Sequence, residues 1–329
     1  MNISIFGSGA WGIAIAILLH GNGHSVTLRS SHENVTRMLL DTRSNPHLDD
    51  IRIPDGIRIA ETLDDAAIGA DMAVIATSSV ELRGIAARLK PRLSDDCVIV
   101  CASKGLEQNT AKRFSEILRE TFGDSRKIAV LSGPTHAEEV ARGVPTACVA
   151  ASDDLAVAEL VQNAFMNEIF RVYTSDDTLG VELGGALKNV IALCAGICVG
   201  VGYGDNTIAA LMTRGMTEIA ALVSKLGGRR ATIFGLGGVG DLFVTCMSRH
   251  SRNRRAGILI GQGMDAQSAM REVGSVVEGY YAAAAAKLLA ERAEIEMPIC
   301  AEAYNVLYEG KSPVEIMREL MTRSPKIEG

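Results

Sequence analysis

Near its N-terminus the chain reads Ile3-Ser4-Ile5-Phe6-Gly7-Ser8-Gly9-Ala10-Trp11-Gly12, and an apolar run from Ile13 to Leu19 follows. A short strand, a glycine turn and the start of a helix are typical of a dinucleotide-binding βαβ unit. In such a unit Gly7 forms the tight turn, Gly9 lets a pyrophosphate approach the backbone, and Gly12 lets the helix pack closely on the strand. The N–H groups at the helix start then face the phosphates. The segment predicts a dinucleotide site, and a glycine turn without a ligand is the alternative interpretation.

The end of the second predicted strand, residues 26–28, bears on the choice of cofactor. NAD enzymes usually place Asp or Glu at this point to hold the ribose 2′-OH. This chain has Arg29-Ser30-Ser31 there, with no carboxylate before Glu33. An arginine suits the 2′-phosphate of NADP, which a carboxylate would repel. We therefore predict NADP(H) as the preferred cofactor. NAD(H) stays open, and a surface arginine without a ligand is the alternative.

Strands and helices alternate through the first half of the chain, which predicts a doubly wound, Rossmann-like parallel sheet. After Thr174-Ser175-Asp176-Asp177 every periodic segment is helical. We therefore predict a dinucleotide-binding α/β domain at residues 1–177 and an all-helical catalytic domain at residues 178–329. The predicted strands are 3–6, 26–28, 57–60, 72–76, 98–102, 128–131, 146–150 and 170–173. The predicted helices are 13–19, 32–41, 64–69, 80–89, 111–121, 178–201, 206–226, 230–235, 254–261, 265–273, 278–291, 301–307 and 312–321.

Composition limits the classes of function. The apolar fraction of 47% is ample for packed cores, and the net charge of -6 argues against nucleic acid as the main partner. The seven cysteines are scattered, odd in number and without a CxxC pair, which indicates free thiols in a reducing cytoplasm. The six histidines show no ligand spacing, so no metal is predicted.

Nothing in the sequence predicts export or membrane insertion. The first residues read as a strand, since no basic region precedes them and a glycine turn follows at once. The longest uncharged run, Asn189 to Gly204, is short for a membrane span and is better interpreted as a buried core helix. We therefore expect a cytoplasmic protein without a membrane span.

In the helical half a single lysine, Lys188, lies within the largely apolar segment from Val181 to Val201. Apolar residues recur there every four positions, as on the buried face of a helix. A buried lysine is costly unless it is paired or functional, which makes Lys188 a catalytic candidate. The alternative is a lysine whose stem packs while its head reaches water. Gly185, one turn earlier, would let another group approach the helix closely.

Three further polar positions are candidates for a site. Lys104 follows the fifth predicted strand, at the sheet edge where α/β proteins bind ligands. Asp241 is the one carboxylate in the glycine-rich segment 237–242, and Ser251-Arg252-Asn253 forms a compact group of donors that suits a phosphate. Their alternatives are a solvated loop lysine, a helix-capping aspartate and a solvated basic turn.

Together these segments resemble the bacterial form of NAD(P)-dependent glycerol-3-phosphate dehydrogenase. The resemblance implies a cofactor domain followed by a helical domain, usually in a homodimer. It also implies hydride exchange between a nicotinamide and C2 of dihydroxyacetone phosphate or sn-glycerol 3-phosphate, which supplies phospholipid synthesis. The matching segments are residues 7–12, 103–107, 132–135, 184–192, 237–242, 251–255 and 276–280.

The resemblance implies roles for individual residues. Lys188 would donate and accept the proton at the C2 oxygen, Lys104 would contact substrate and cofactor, and Asp241 would support this polar network. The other implied substrate contacts are Gly133, Thr135, Ser251, Arg252 and Asn253. The implied cofactor contacts are Ala10, Trp11, Arg29, Ala137, Arg252, Val276 and Glu278, with Arg29 standing where the family often has a tryptophan.

Other classes of protein stay open on the sequence. A nucleotide sensor could share the first domain but would not need Lys188, Asp241 and a phosphate clamp in one chain. A two-domain dehydrogenase acting on a hydroxy acid or sugar acid is a closer rival, although Ser251-Arg252-Asn253 favours a phosphorylated substrate. A purely structural protein that forms a helical dimer is the third alternative class. For the enzyme, burial near Lys104 is expected to lower the pKa of Lys188.

Overall fold

The first half of the protein is an eight-stranded sheet in the order β3-β2-β1-β4-β5-β6-β7-β8. The computed structural model describes residues 1–46, 48, 50–325 and 327, so His47 and the predicted domain end at Gly329 lie outside the described residues. The eight predicted strands are confirmed, with β8 at one edge as expected. Their bounds are β1 Asn2–Phe6, β2 Ser25–Arg29, β3 Arg58–Ile59, β4 Met72–Ile75, β5 Val98–Cys101, β6 Ile128–Ser132, β7 Thr146–Ala151 and β8 Phe170–Ser175.

One pairing departs from the predicted parallel sheet, since β7 runs antiparallel to β6 while all other neighbours are parallel. The connection from β6 to β7 contains a helix of only five residues, α6 (Ala137–Ala141). Helix length alone does not explain the reversal, because a helix of the same length, α3 (Leu63–Ala67), joins β3 and β4, and these two strands are parallel. The sheet is therefore mostly parallel, with a reversed pair of strands, β7 and β8, at one side.

Helices cover both faces of the sheet, because alternate residues of each strand point to opposite sides. In β1, Ile3 and Ile5 face the core beneath α1, whereas Phe6 joins the core on the opposite side beneath α3 and α4. The helices of this half are α1 Ala10–Gly21, α2 Glu33–Thr42, α3 Leu63–Ala67, α4 Leu82–Leu89, α5 Phe114–Phe122, α6 and α7 Leu155–Phe165. Neither α6 nor α7 was predicted from the sequence.

The second half is helical throughout and is built around α8, which is buried at most positions. This helix is long and apolar enough to cross a membrane, but 83% of its most apolar window is buried inside the protein. The prediction of a core helix is confirmed. The helices are α8 Thr178–Val201, α9 Asp205–Lys225, α10 Arg230–Ile233, α11 Asp241–Met247, α12 Arg252–Gly261, α13 Ala266–Val273, α14 Glu278–Ala293, α15 Pro298–Tyr308 and α16 Pro313–Met321, with a π-helical segment at Leu236–Gly240.

Glycines bring α8 and α12 into direct backbone contact. A Cβ atom on Gly196 of α8 would lie 2.2 Å from the Arg254 carbonyl oxygen, and one on Gly257 of α12 would lie 2.1 Å from the Leu193 carbonyl oxygen. Real Cβ atoms do not approach so closely, so only glycine allows this packing. Gly200 and Gly261 repeat the contact one turn further along each helix. We call these four residues the glycine seam.

Candidate active site

Two lysines share one buried carboxylate, that of Asp241. Lys188 Nζ donates to Asp241 Oδ1 at 2.9 Å, and Lys104 Nζ donates to Asp241 Oδ2 at 2.8 Å. Asp241 is 2% exposed and Lys188 is 5% exposed. Buried charges require partners, and here each ion has one. The structure therefore brings together the three residues that the sequence singled out as catalytic candidates.

The protonation states in this cluster are coupled. Burial is the largest influence on Lys188, and it lowers the pKa to about 8; Asp241 opposes this shift and Lys104 adds to it. Burial acts to raise the pKa of Asp241, but the two ammonium groups outweigh it and the pKa is lowered. Asp241 is thus ionised at neutral pH, and Lys188 loses its proton at a pH only slightly above neutral. The expected lowering of the Lys188 pKa is confirmed.

The two lysines differ in how many of their N–H donors are occupied. Lys104 Nζ contacts three acceptors: Asp241 Oδ2, the Gly133 carbonyl oxygen at 2.7 Å and Thr135 Oγ1 at 3.3 Å. Lys188 Nζ contacts Asp241 Oδ1 and, at 2.6 Å, Thr245 Oγ1. An ammonium group has three donors. Among the described residues, Lys188 thus keeps one donor for a further acceptor, whereas Lys104 has used all three.

Close backbone packing places Asp241 opposite Lys188. A Cβ on Gly184 of α8 would lie 2.9 Å from the Gly237 carbonyl oxygen, so the π-helical segment lies against α8. A Cβ on Gly238 would lie 2.0 Å from the Ile233 carbonyl oxygen, which shows how tightly the segment folds back on α10. Asp241 then begins α11, where a negative charge is also favoured by the helix dipole.

The end of β6 supplies the other wall of the site. Gly133 has a φ of +148°, and a Cβ there would lie 2.8 Å from the Cys148 Cα atom. Glycine at this position lets the backbone turn so that its carbonyl accepts from Lys104. The hydroxyl of the neighbouring Ser132 is buried and has no hydrogen-bond partner. A Cβ atom on Gly185 would lie only 2.5 Å from Ser132 Oγ. The close approach expected at Gly185 is that of Ser132.

The three residues of the predicted phosphate-binding turn, Ser251, Arg252 and Asn253, have different surroundings in the structure. Ser251 Oγ caps α12 by accepting from the Arg254 N–H at 3.2 Å. Asn253 is buried and joins three helices: its Nδ2 donates to Asn189 Oδ1 at 2.9 Å, and its Oδ1 accepts from the Gly279 N–H at 2.8 Å. The Arg252 side chain is exposed and has no hydrogen-bond partner among the described residues. Arg252 is the most accessible of the three, while the Ser251 O–H and the second Nδ2–H of Asn253 also have no acceptor among the described residues.

The glycine turn has the geometry expected for a dinucleotide. Gly7 has a φ of +123°, and a Cβ there would lie 2.3 Å from the Ala76 carbonyl oxygen. A Cβ on Gly12 would lie 1.9 Å from the Gly7 carbonyl oxygen, so helix and strand are in close contact. A Cβ on Gly9, at the N-terminus of α1, would meet no atom within 4 Å. The turn is therefore tight on the protein side and open where a pyrophosphate would lie.

Unpartnered polar atoms continue along the same sheet edge. Thr77 Oγ1 and Ser79 Oγ, which follow β4, are buried without hydrogen-bond partners, and so is Glu278 Oε2 at the start of α14. The other Glu278 oxygen accepts from the Ser79 N–H at 3.1 Å, which joins α14 to the sheet. Buried polar groups normally have partners, so a polar ligand is expected along this edge. The residues present fit a dinucleotide.

The remaining predicted cofactor contacts lie around this edge. Ala10 begins α1, and Trp11 Nε1 donates to the Ala102 carbonyl oxygen at 3.0 Å, just beyond β5. Ala137 begins α6, and Val276 lies in the connection that leads to Glu278. Arg29 ends β2, and its Nη1 donates to Thr36 Oγ1 at 2.6 Å and to the Ser30 carbonyl oxygen.

Comparison with known proteins identifies the family. Residues 2–158 match the profile of the NAD-dependent glycerol-3-phosphate dehydrogenase N-terminus, and residues 177–318 match that of its C-terminus. Glycerol-3-phosphate dehydrogenase (NAD(P)+) of Thermoanaerobacter sp. is 49% identical over 328 residues, which cover 100% of this chain and 99% of the relative. This chain belongs to the NAD-dependent glycerol-3-phosphate dehydrogenase family. A similar enzyme of Fusobacterium nucleatum is 47% identical over 330 residues, covering 100% of this chain and 98% of the relative.

Solved structures of the glycerol-3-phosphate dehydrogenase family include one with the same fold as this chain. The glycerol-3-phosphate dehydrogenase of Coxiella burnetii is 34% identical, with a TM-score of 0.94 over 98% of this chain and 99% of that chain. A ketopantoate reductase of Ralstonia eutropha is 15% identical, with a TM-score of 0.62 over 98% of this chain and 100% of that chain. The second likeness concerns the fold alone.

Several residues of this glycerol-3-phosphate dehydrogenase site were missed by sequence reasoning. Thr245 accepts from Lys188, and its position one helical turn after Asp241 is a signal that could have found it. Ser132 and Asn189 gave no comparable signal, because their roles depend on which helix lies against which strand. No group of three or more potential metal ligands is found among the described residues, which leave out His47.

Substituting Gly9 by valine is expected to abolish cofactor binding with little effect on stability. Gly9 has φ −68° and ψ 175°, which any residue can adopt, and its side chain would enter the open space at the start of α1. The measurements are NADPH affinity by fluorescence titration and thermal unfolding.

Gly204→Val is a matched control for this variant. Gly204 also caps a helix in extended conformation, with φ −87° and ψ 179°, and has no atom within 4 Å of a Cβ. The control should bind NADPH normally. Normal affinity in Gly9→Val would show that the cofactor does not approach this turn.

Proposed function

We propose that this protein catalyses reversible hydride transfer between NAD(P)H and C2 of dihydroxyacetone phosphate, giving sn-glycerol 3-phosphate for phospholipid synthesis. Membership of the glycerol-3-phosphate dehydrogenase family supports the activity. The observation that carries the residue assignment is the buried ammonium of Lys188, which is held by Asp241 and Thr245 and keeps one donor for a substrate oxygen.

Lys188 is the proton donor and acceptor of the reaction. The nicotinamide, when bound, supplies or accepts the hydride at C2. As negative charge develops on the C2 oxygen, the Lys188 ammonium stabilises it and transfers a proton, and neutral Lys188 removes that proton in the reverse direction. With a pKa of about 8, Lys188 can act in both directions near neutral pH.

Lys104 and Asp241 organise this site. Asp241 orients the two ammonium groups, and Lys104 links the carboxylate to Gly133 and Thr135, which lie beside the substrate in this assignment. Low exposure strengthens each of these electrostatic interactions because little water is present to screen them. The three residues thus hold the reacting oxygen in a fixed, positively charged environment.

The cofactor is held along the carboxyl edge of the sheet in this proposal. Gly7, Gly9 and Gly12 receive the pyrophosphate, and Arg29 receives the adenosine end. The open space at Gly9 and the unpartnered Glu278 oxygen support this assignment. The other residues assigned to the cofactor are Ala10, Trp11, Lys104, Ala137, Arg252 and Val276.

Five further statements belong to the same proposal. NADP(H) is preferred over NAD(H), the functional enzyme is a homodimer, and it works in the cytoplasm. The domains divide at residue 177, which is supported by the end of β8 at Ser175 and the start of α8 at Thr178. Nucleic acid has no part in the function, in keeping with the net charge of -6.

Arg252→Ala is expected to lower kcat/KM for dihydroxyacetone phosphate by roughly ten- to a hundredfold, because one charged hydrogen bond to phosphate contributes about 1.5–3 kcal/mol. Part of the loss should appear in kcat, since phosphate binding also orients the reacting carbon. At saturating NADPH, which removes any effect of the cofactor contact also assigned to Arg252, the slow reduction of unphosphorylated dihydroxyacetone should hardly change. The measurement is NADPH oxidation, followed by absorbance, with both substrates.

The control for Arg252 is Arg318→Ala, which removes an exposed arginine from α16. It should leave both activities unchanged. Equal proportional losses on the two substrates in Arg252→Ala would mean that Arg252 acts through the fold or the cofactor. Absence of any dihydroxyacetone phosphate reduction by the wild-type protein would refute the proposed function itself.

A further inference from the structure

Two arginines from different elements line one cleft at the adenosine end of the proposed cofactor site. Arg29 ends β2, and Arg88 lies in the last turn of α4. The cleft passes the ends of β1 and β4, beside Gly7 and Thr77. The family resemblance and the sequence pattern pointed to Arg29 but gave no signal for Arg88, which lies 59 residues further along the chain.

Arg29 has only part of its hydrogen-bonding capacity in use. Its Nη1 donates to Thr36 Oγ1 and to the Ser30 carbonyl oxygen, whereas its Nε is buried and has no partner. Burial lowers the pKa of Arg29, and the positive charge of Arg88 lowers it further, while Glu33 has the opposite effect. The two guanidinium groups are therefore close enough to repel each other.

Arg88 has no carboxylate partner to relieve that repulsion. Its side chain is exposed and makes no hydrogen bond or ion pair among the described residues. The carboxylate of Glu81, at the start of α4, is engaged by other groups: it accepts from Ser78 Oγ at 2.8 Å and from Ser31 Oγ at 3.3 Å. A pair of like charges facing one cleft is electrostatically unfavourable unless an anion binds between them.

We propose that Arg88 and Arg29 together bind the 2′-phosphate of NADP(H), and that Arg88 is a determinant of cofactor specificity. The inference rests on the proposed function, because it assumes that a dinucleotide lies along this sheet edge. In such sites the ribose 2′ position lies at the end of the second strand, where Arg29 is found. A phosphate dianion is held more strongly by two guanidinium groups than by one, and Arg88 supplies the second from α4.

The test measures binding of adenosine 2′,5′-bisphosphate and of 5′-AMP to the apoprotein by isothermal titration calorimetry. Arg88→Gln should weaken binding of the bisphosphate about tenfold and leave 5′-AMP within about twofold of wild type. The loss should shrink at high salt, since Arg88 is exposed and its charge is screened. In turnover assays the ratio of kcat/KM for NADPH over NADH should fall by a similar factor.

Lys90→Gln is the matched control, because Lys90 is an exposed cation two residues further along the chain and does not line the cleft. It should not change the ratio of the two affinities. Equal losses for bisphosphate and 5′-AMP in Arg88→Gln would overturn the inference, since they would show contact with the adenine instead. An unchanged ratio of kcat/KM for NADPH over NADH in Arg88→Gln would overturn the inference as well.

A failure of the Arg88 inference can be distinguished from a failure of the proposed function. Failure of the inference leaves dihydroxyacetone phosphate reduction with NADH intact in the wild type and in Arg88→Gln. Failure of the function would remove that reaction from the wild type. Arg88→Lys, which keeps the charge, should recover part of the bisphosphate affinity, and unfolding curves identify any variant that does not fold.

Discussion

Lys188→Ala is expected to lower kcat for dihydroxyacetone phosphate reduction by about 10²–10⁴-fold, the usual contribution of a general acid. The loss falls on the chemical step because the side chain that donates the proton is removed while the glycine turn at residues 7–12 is untouched. Affinity for NADPH should therefore stay within a few-fold of wild type. Steady-state kinetics and fluorescence titration of NADPH measure the two effects.

Lys188→Met separates lost chemistry from lost packing, because methionine fills most of the space of the buried lysine stem. It should be as inactive as the alanine variant. Lys225→Ala, which removes an exposed lysine from the end of α9, should keep full activity. More than about a tenth of wild-type activity in either Lys188 variant would rule out Lys188 as the general acid.

The pH profile gives a second readout for Lys188, whose pKa is about 8. Reduction of the ketone requires the protonated ammonium, so its rate should fall as the pH rises through about 8. Oxidation of sn-glycerol 3-phosphate requires the neutral amine, so its rate should rise over the same interval. Two profiles with the same sign would contradict the assignment.

Asp241→Asn is expected to have the largest effect on stability, reducing the free energy of unfolding by about 3–5 kcal/mol at neutral pH. The substitution leaves two ammonium groups near each other in a buried site without their carboxylate. It should also lower the pKa of Lys188 further, because Asp241 is the main group that opposes the effect of burial. Turnover is then expected to fall with stability.

The pH dependence of stability identifies the cause of this loss. In the variant the folded pKa of Lys188 lies further below its unfolded value of about 10.4 than it does in the wild type, so folding releases protons and becomes more favourable as pH rises. The deficit relative to wild type should therefore shrink as the pH rises toward about 8, the pKa of Lys188 in the wild type, in urea unfolding experiments. Asp205→Asn, at an exposed position in the first turn of α9, should show no such trend. A deficit that is constant with pH would contradict the charge argument.

Sequence reasoning recovered the fold class because its signals are local. Strands such as Val98–Cys101 are short apolar runs bounded by polar turns, and the glycine turn after β1 has a spacing that few other structures need. The antiparallel pairing of β7 was missed because the apolar pattern of a strand does not encode its direction, and the connections before β4 and β7 contain equally short helices although only the second reverses the chain. The short helix α11 was missed because it follows directly on glycines, which are poor helix formers.

The site was predicted in part for similar reasons. Lys188 stood out as a charge in an apolar helix, and Lys104 by its place at a strand end. That one carboxylate joins them could not be read from the sequence, since it depends on how the segment around Gly237 packs on α8. Asn253 has a role that its residue type did not indicate, since it joins three helices; its assignment to the substrate phosphate stays a prediction.

The glycine seam has a consequence for the choice of substrate. Helix α8 carries Lys188 and helix α12 begins at Arg252, and backbones in direct contact cannot slide past each other without a clash. On the proposed assignment, the separation between the reacting oxygen and the phosphate is therefore fixed by the protein. A ketone phosphate with one more carbon between these groups is therefore expected to bind less well, because only the Arg252 side chain, and not the helices, can adjust to the extra length.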